Sequence, residues 1–149
     1  MNHDVASALG PLLTAYGLVG RGDHILLVRD RHGSSYQLPG TVVRPGETVD
    51  DALRRALGEH VDTGIDRLDF CAAVEHRVQT HPDGQSVYEV TLLFDVTLAE
   101  PASVTAPERE LRWVDDADLG IVDLRPAAIA NLLRTGAFAE SNAWWPTPA

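Results

Sequence analysis

Lysine is missing from this chain of 149 residues: its twelve basic side chains are all arginine, set against twenty-two Asp and Glu. High Arg and Ala without Lys reads first as a GC-rich coding bias; arginine-only phosphate recognition is the functional alternative. The formal charge of −10 argues against a general nucleic-acid binder, which needs a basic face. A single cysteine, Cys71, cannot close an internal disulfide, so a reducing cytoplasm is the expected compartment. No apolar run is long enough to span a bilayer, and no membrane partner is expected. The start, MNHDVASALG, lacks the basic residues and apolar stretch of a signal peptide. No internal repeat or low-complexity block appears.

What is present suits a globular core. An apolar content of 44% over this length predicts a single domain covering 1–149, with 136–149 as a C-terminal tail. Two apolar-rich runs, 14–19 and 25–29, flank Gly20-Arg21-Gly22-Asp23 and read as a β-hairpin. Residues 29–35 read as a loop, Leu38-Pro39-Gly40 ends a short extended piece, and Arg44-Pro45-Gly46 forces another turn. Thr48 is a good N-cap with Asp51 three residues on, and Ala52, Leu53, Ala56 and Leu57 recur at helical spacing. A helix over 49–60 follows, with Gly64 as its stop signal. Strands are predicted over 68–78 and 86–98, joined by the turn His81-Pro82-Asp83-Gly84. A loop over 101–107, a short strand over 111–114, a helical turn over 115–119 and a helix over 125–133 with Pro126 in its first turn complete the order. Trp144-Trp145 suggests that the tail packs against something. Strands, helix, strands, helix point to an α+β fold, an α/β/α sandwich around a mixed β-sheet.

The stretch LPGTVVRPGETVDDALRRALGEHVDTGI resembles the Nudix box, G-x5-E-x7-R-E-U-x-E-E-x-G-U, with U a bulky aliphatic residue. Anchored on Glu47, the pattern places Arg55 on the box Arg, Leu57 on the first U and Glu59 on the first Glu of the pair. Thr41 stands at the box Gly, directly after Gly40. Ala56 replaces the Glu after Arg, His60 replaces the last Glu, and the closing Gly64-Ile65 arrives two residues late. The likeness extends outwards. HILLVRDRHGSSYQLPG is similar to the family's lead-in. Glu75-His76-Arg77-Val78, a turn, then Tyr88-Glu89-Val90 is similar to a Glu-Asn-x-Phe, loop, His-Glu-Ile pattern, and Pro107 to Val114 resembles an acidic approach to an L-R-W-V strand.

The resemblance implies a Nudix-like sandwich and hydrolysis of a nucleoside diphosphate derivative, or another organic diphosphate, by metal-activated water. Carboxylates holding Mg²⁺ or Mn²⁺ would neutralise the diphosphate. Glu59 is the box carboxylate that remains, and His60, an imidazole, suits Mn²⁺ or Zn²⁺ better than Mg²⁺. Glu75, Glu89, Glu108 and Glu110 are candidates to supply oxygen ligands or a base, or the substrate's own phosphates carry the ligation. Each residue also has a plainer reading. Glu47 and Arg55 would brace the box loop together with Gly40, although Arg55 is also a candidate for substrate. Glu59, Glu108 and Glu110 would be solvated carboxylates, and His60 a partner of the helix dipole. His76 and His81 are candidates for phosphate contact or acid–base work. Trp113 reads as core rather than as a stacking platform.

Three functions are weighed. One is a divergent hydrolase with a small-molecule, possibly nucleotide, substrate. Another is a degenerate domain that binds a ligand or partner without turnover. The last is a pocket recruited for metal-free isomerisation, cyclisation or hydrolysis, with Glu75, His76, His81 and Glu89 as the acid–base set. A homodimer is expected from the resemblance alone.

Overall fold

A computed structural model describes residues 11–60, 64–80, 86–99 and 109–135, together with Pro82, Gly84 and the pair 144–145. The opening hairpin joins β1 (Leu12–Arg21) to β2 (His24–Asp30). Its turn is two residues, Gly22 and Asp23, because Gly20 and Arg21 stay paired with Ile25 and His24. Gly22 has φ +60° and no non-glycine residue has a positive φ among the described residues, the pattern of a type II′ turn with glycine first.

β1 organises the sheet. One edge runs parallel to β5 (Ser86–Leu98), from Leu12 opposite Glu89 to Val19 opposite Val96. The other edge is shared: β3 (Gly40–Val42) pairs with residues 14–16, and β2 takes over at Gly20 and Arg21. β2 carries β6 (Arg109–Val114), β5 carries β4 (Ile65–Thr80), and the two-residue β7 (Trp144–Trp145) lies parallel to β4. The order is β6-β2-β1-β5-β4-β7, with β3 beside β1. Parallel and antiparallel pairings coexist, as a mixed sheet requires. β4 is longer than the predicted 68–78, and its 16 residues face the 13 of β5 through three register shifts. Each shift absorbs one extra residue as a bulge.

A helix covers each face. α1 (Val49–Gly58) buries Ala52, Leu53, Ala56 and Leu57 against a cluster with Ala15, Val19, Leu26 and Val96. Burying a leucine of this kind contributes roughly 1.5–3 kcal/mol. On the opposite face, α2 (Asp116–Leu119) and α3 (Ala127–Thr135) close a second cluster over Leu18, Leu27, Ala72, Val74 and Leu93. These are the three layers that the strand and helix order predicts. α3 starts later than the expected 125–133, since the Pro126 carbonyl accepts from Ile129 and Ala130 and stands just before the first turn.

α1 also stops early. Thr48 Oγ1 accepts from the Asp51 amide at 3.1 Å and caps the start as expected. The end is Gly58, not residue 60, and Gly64 instead directly precedes β4. Glycine in a helix interior costs about 1 kcal/mol relative to alanine, which favours an exit there. Glu59 is the C-cap, and the His60 amide makes a tighter bond to the Leu57 carbonyl at 2.9 Å. No helix among the described residues is long and apolar enough to cross a membrane.

Candidate active site

The loop before α1 is tied to the helix by an ion pair. Arg55 donates from Nε to Glu47 Oε2 at 2.9 Å and from Nη2 to Glu47 Oε1 at 3.0 Å, a bidentate fork. The same carboxylate accepts from the Arg44 amide at 3.1 Å, and Arg55 reaches the Val42 carbonyl at 3.4 Å. The Arg55 hydrogen bonds, helped by the Arg44 amide, hold the Glu47 pKa down at about 2. Gly40 is required one step earlier. A Cβ there would lie 2.3 Å from the Ala15 carbonyl oxygen and 2.4 Å from the Tyr16 ring, so only glycine lets β3 approach β1. Packing thus explains Gly40, the residue before the Thr41 that stands at the box glycine.

Glu59 is exposed at the end of α1, and its charge, after that of Glu47, adds to the upward shift of the Arg55 pKa. His60 is buried, at 3% exposure, and its Nδ1 has no partner among the described residues. Burial first, and then the positive charge of Arg109, lower its pKa and keep the ring neutral. At the start of β6, Glu110 pairs with Arg29 across the sheet, and Arg109 Nε stands 3.5 Å from Asp30. Arg29 lies over the Tyr36 ring at 4.8 Å. Trp113 packs against the α1-side cluster with Arg21 stacked on its ring at 4.3 Å.

Glu75 and the Glu89–His76 pair part company. Successive strand residues point to opposite faces. Glu75 opposite Val90 therefore lies on the α1 face, and His76 opposite Glu89 lies on the α3 face. Glu89 is buried and accepts from Thr14 at 3.1 Å and Thr91 at 3.0 Å, with His76 Nε2 at 3.2 Å. Thr14 and Thr91 lie 2.8 Å apart and His76 Nε2 stands 2.9 Å from Thr91 Oγ1, so the four side chains form one buried polar network. Burial raises the Glu89 pKa, but the bonds from His76, Thr91 and Thr14 outweigh it and the net shift is downward. Of the expected acid–base set, Glu75 accordingly lies on one face and His76 and Glu89 on the other. His81 and Glu108 lie outside the described residues.

Comparison with known proteins decides the family. The family model described as the NUDIX domain matches residues 11–134. The chain belongs to the Nudix family. It is 31% identical over 111 residues to the nucleoside triphosphatase NudI of Enterobacter sp. (strain 638), covering 68% of this chain and 76% of that protein. It is also 28% identical over 117 residues to a eukaryotic translation initiation factor 3 component of Botryotinia fuckeliana, of whose length it spans 12%. The solved structure of the MutT protein from Bacillus halodurans superposes with a TM-score of 0.70 at 15% identity, over 89% of this chain and 86% of that one, a likeness of fold.

Nudix hydrolases generally use divalent metals such as Mg²⁺ or Mn²⁺, but the described side chains of this Nudix domain do not fit one. Among them no group of three or more His, Cys, Asp or Glu gathers into a cation site. Ala56 is buried in the α1 core, Glu59 is solvent-exposed, and His60 is buried beside the charge of Arg109, which repels a metal. Of the expected metal pair, Glu59 is the exposed C-cap of α1 and the next residue, His60, is buried. Sequence reasoning also passed over Arg29, Arg109, Thr14 and Thr91. A threonine amid the apolar residues of β1, and another in β5, was the available signal for the buried cluster.

Proposed function

We propose that this Nudix domain hydrolyses a nucleoside triphosphate or another nucleoside diphosphate derivative, with Glu59 taking the proton of the attacking water. The water oxygen bonds to phosphorus, a bridging P–O bond breaks, and the departing phosphate carries the electron pair. The exposed Glu59 carboxylate beside the Glu47–Arg55 brace is the observation that carries this reading. The resemblance to a nucleoside triphosphatase at 31% identity supports the choice of substrate. A divalent cation would arrive on the substrate's own phosphates, since the described side chains offer it no cluster. Family likeness alone supports a homodimer, which light scattering checks.

The expected outcome is release of phosphate, pyrophosphate or nucleoside monophosphate from a panel of nucleotides, assayed with Mg²⁺, with Mn²⁺ and with chelator. Glu59→Gln should lower turnover by at least about 100-fold, the size of a general-base contribution. Full activity in that variant sinks the reading. A second reading, binding without turnover, is favoured by the lack of a cation cluster among the described residues. It expects nucleotides to raise the melting temperature while no product forms.

A further inference from the structure

We propose that the cleft at the carboxyl ends of β1 and β5 is a second ligand site, which takes an aliphatic amine carrying two or more positive charges. It stands apart from the box. Arg109, whose charge reaches His60, pairs with Asp30 at one end of β2. The cleft borders Gly22 and Asp23 beside the other end, roughly 20 Å away at about 3.3 Å per strand residue. The site does not depend on the hydrolase reading.

β1 and β5 run parallel as far as Val19 opposite Val96. Beyond that point β1 turns into β2 and leaves β5, and a cleft opens outside the carboxyl ends of the two strands, where open sheets commonly bind ligands. Its larger part has a volume of about 810 Å³, within the range of small-molecule sites, and its smaller part about 190 Å³. Leu18, Gly20 and Asp95 line both parts.

Gly20 shows that this space is kept open. Of the strand glycines, Gly17 and Gly40 are required by packing: a Cβ would lie 2.8 Å from Val96 at the first and 2.3 Å from the Ala15 carbonyl oxygen at the second. A Cβ on Gly20 would meet nothing nearer than the His24 carbonyl oxygen at 3.9 Å, an ordinary contact, and its φ is not positive. Neither packing nor backbone conformation explains a glycine there, although glycine weakens a strand. A glycine of this kind marks a place where a ligand comes close to the backbone.

The lining selects the chemistry. Leu18, Ile25, Leu119 and Leu133 give the smaller part an apolar floor, and its volume equals that of about six waters at roughly 30 Å³ each, room for a short alkyl chain. Asp23, Asp95, Asp115 and Asp116 stand round that floor. In the larger part Asp69 opposes Asp95 directly across β4 and β5, a pairing of like charges that destabilises a sheet and that a bound cation relieves. Among the described lining residues the basic side chain is Arg21, and it lies over the Trp113 ring at 4.3 Å. A metal ion does not match this lining, since no three such donors among the described residues gather closely enough to hold one. Carboxylates spread around an apolar floor match ammonium groups spaced by methylenes, each donating to a carboxylate while the chain between them covers the leucines.

A change of shape without a change of charge separates a built site from diffuse attraction to an acidic protein. Spermidine is titrated calorimetrically into the whole chain, for wild type, Gly20→Val, Asp95→Asn and the distant surface control Asp50→Asn. Wild type should bind saturably, with about one spermidine per chain. Gly20→Val keeps every charge but fills the cleft, so it should bind at least about tenfold more weakly. It should also melt no lower than wild type, because valine suits a strand better than glycine. Asp95→Asn should bind several-fold more weakly, and Asp50→Asn should match wild type. Absence of saturable binding overturns the proposal, as does a Gly20→Val affinity within about twofold of wild type. A Gly20→Val protein that melts well below wild type or does not fold shows that the glycine is structural, and overturns it too. Equal affinities for Asp95→Asn and Asp50→Asn do the same. Nucleotide turnover, measured alongside, is read separately. Spermidine binding that Gly20→Val abolishes, in a protein without turnover, leaves the cleft standing and removes the hydrolase. Turnover with spermidine affinity indifferent to Gly20 does the reverse.

Discussion

Glu47 is a surface-loop carboxylate held by three donors, two from Arg55 and one from the Arg44 amide. Its pKa falls from an ordinary 4.5 to about 2, first through the Arg55 hydrogen bonds. A carboxylate with a depressed folded-state pKa contributes stability that is present above the unfolded value and is lost as pH drops through the folded one. The window is therefore about pH 4.5 down to about 2. Glu47→Gln should be less stable than wild type at pH 7, and the gap should close as the pH is lowered through that window. Urea melts of both proteins at a series of pH values give the answer; a gap that stays constant to pH 2 would mean that the pair adds nothing through its charge. The His60 pKa is lowered too, but there burial and Arg109 favour the neutral form, so the ring adds no positive charge beside Arg109 near neutrality.

At the level of elements, α1 depends on its ends as much as on its apolar face. The Thr48 hydroxyl satisfies the Asp51 amide, one of the donors that a helix start leaves unpaired. Thr48→Ala should cost about 1 kcal/mol, with a range of roughly 0.5–2, read as a lower urea midpoint at unchanged slope. An unchanged midpoint would show that the bonds between Glu47 and Arg55 hold the helix start without the cap. The start was legible because a cap and the amide that donates to it are local. The end was not: Gly58 stops the helix, but the apolar spacing that signals α1 carries no mark of where it ceases. β5 was legible over its whole length, 86–98, because β-branched and aromatic residues recur along it. The extension of β4 was hidden, since bulges depend on the partner strand and not on β4 alone.

Across the whole molecule the sheet separates two chemistries. The box helix, Glu59 and Glu75 belong to one side, while Glu89, His76, Thr14 and Thr91 are buried on the other. Sequence alone could name these residues but not sort them, because their facing follows from the parallel register of β1 on β5, a pairing between residues 77 apart at Thr14 and Thr91. This division has an energetic consequence. Glu89→Gln should cost roughly 1.5–3 kcal/mol by weakening hydrogen bonds to a buried charge. Combined with Thr48→Ala, which shares no partner with it, the two losses should add within about 0.5 kcal/mol. Combined with Thr91→Val, which removes a hydroxyl bonded to Glu89, the double loss should depart from the sum by roughly 0.5–3 kcal/mol. Urea melts of the single and double variants beside wild type measure both. Strong coupling between Thr48 and Glu89 would mean that strain passes through β1, which touches both faces, and that the two sides of this Nudix sheet act as one unit.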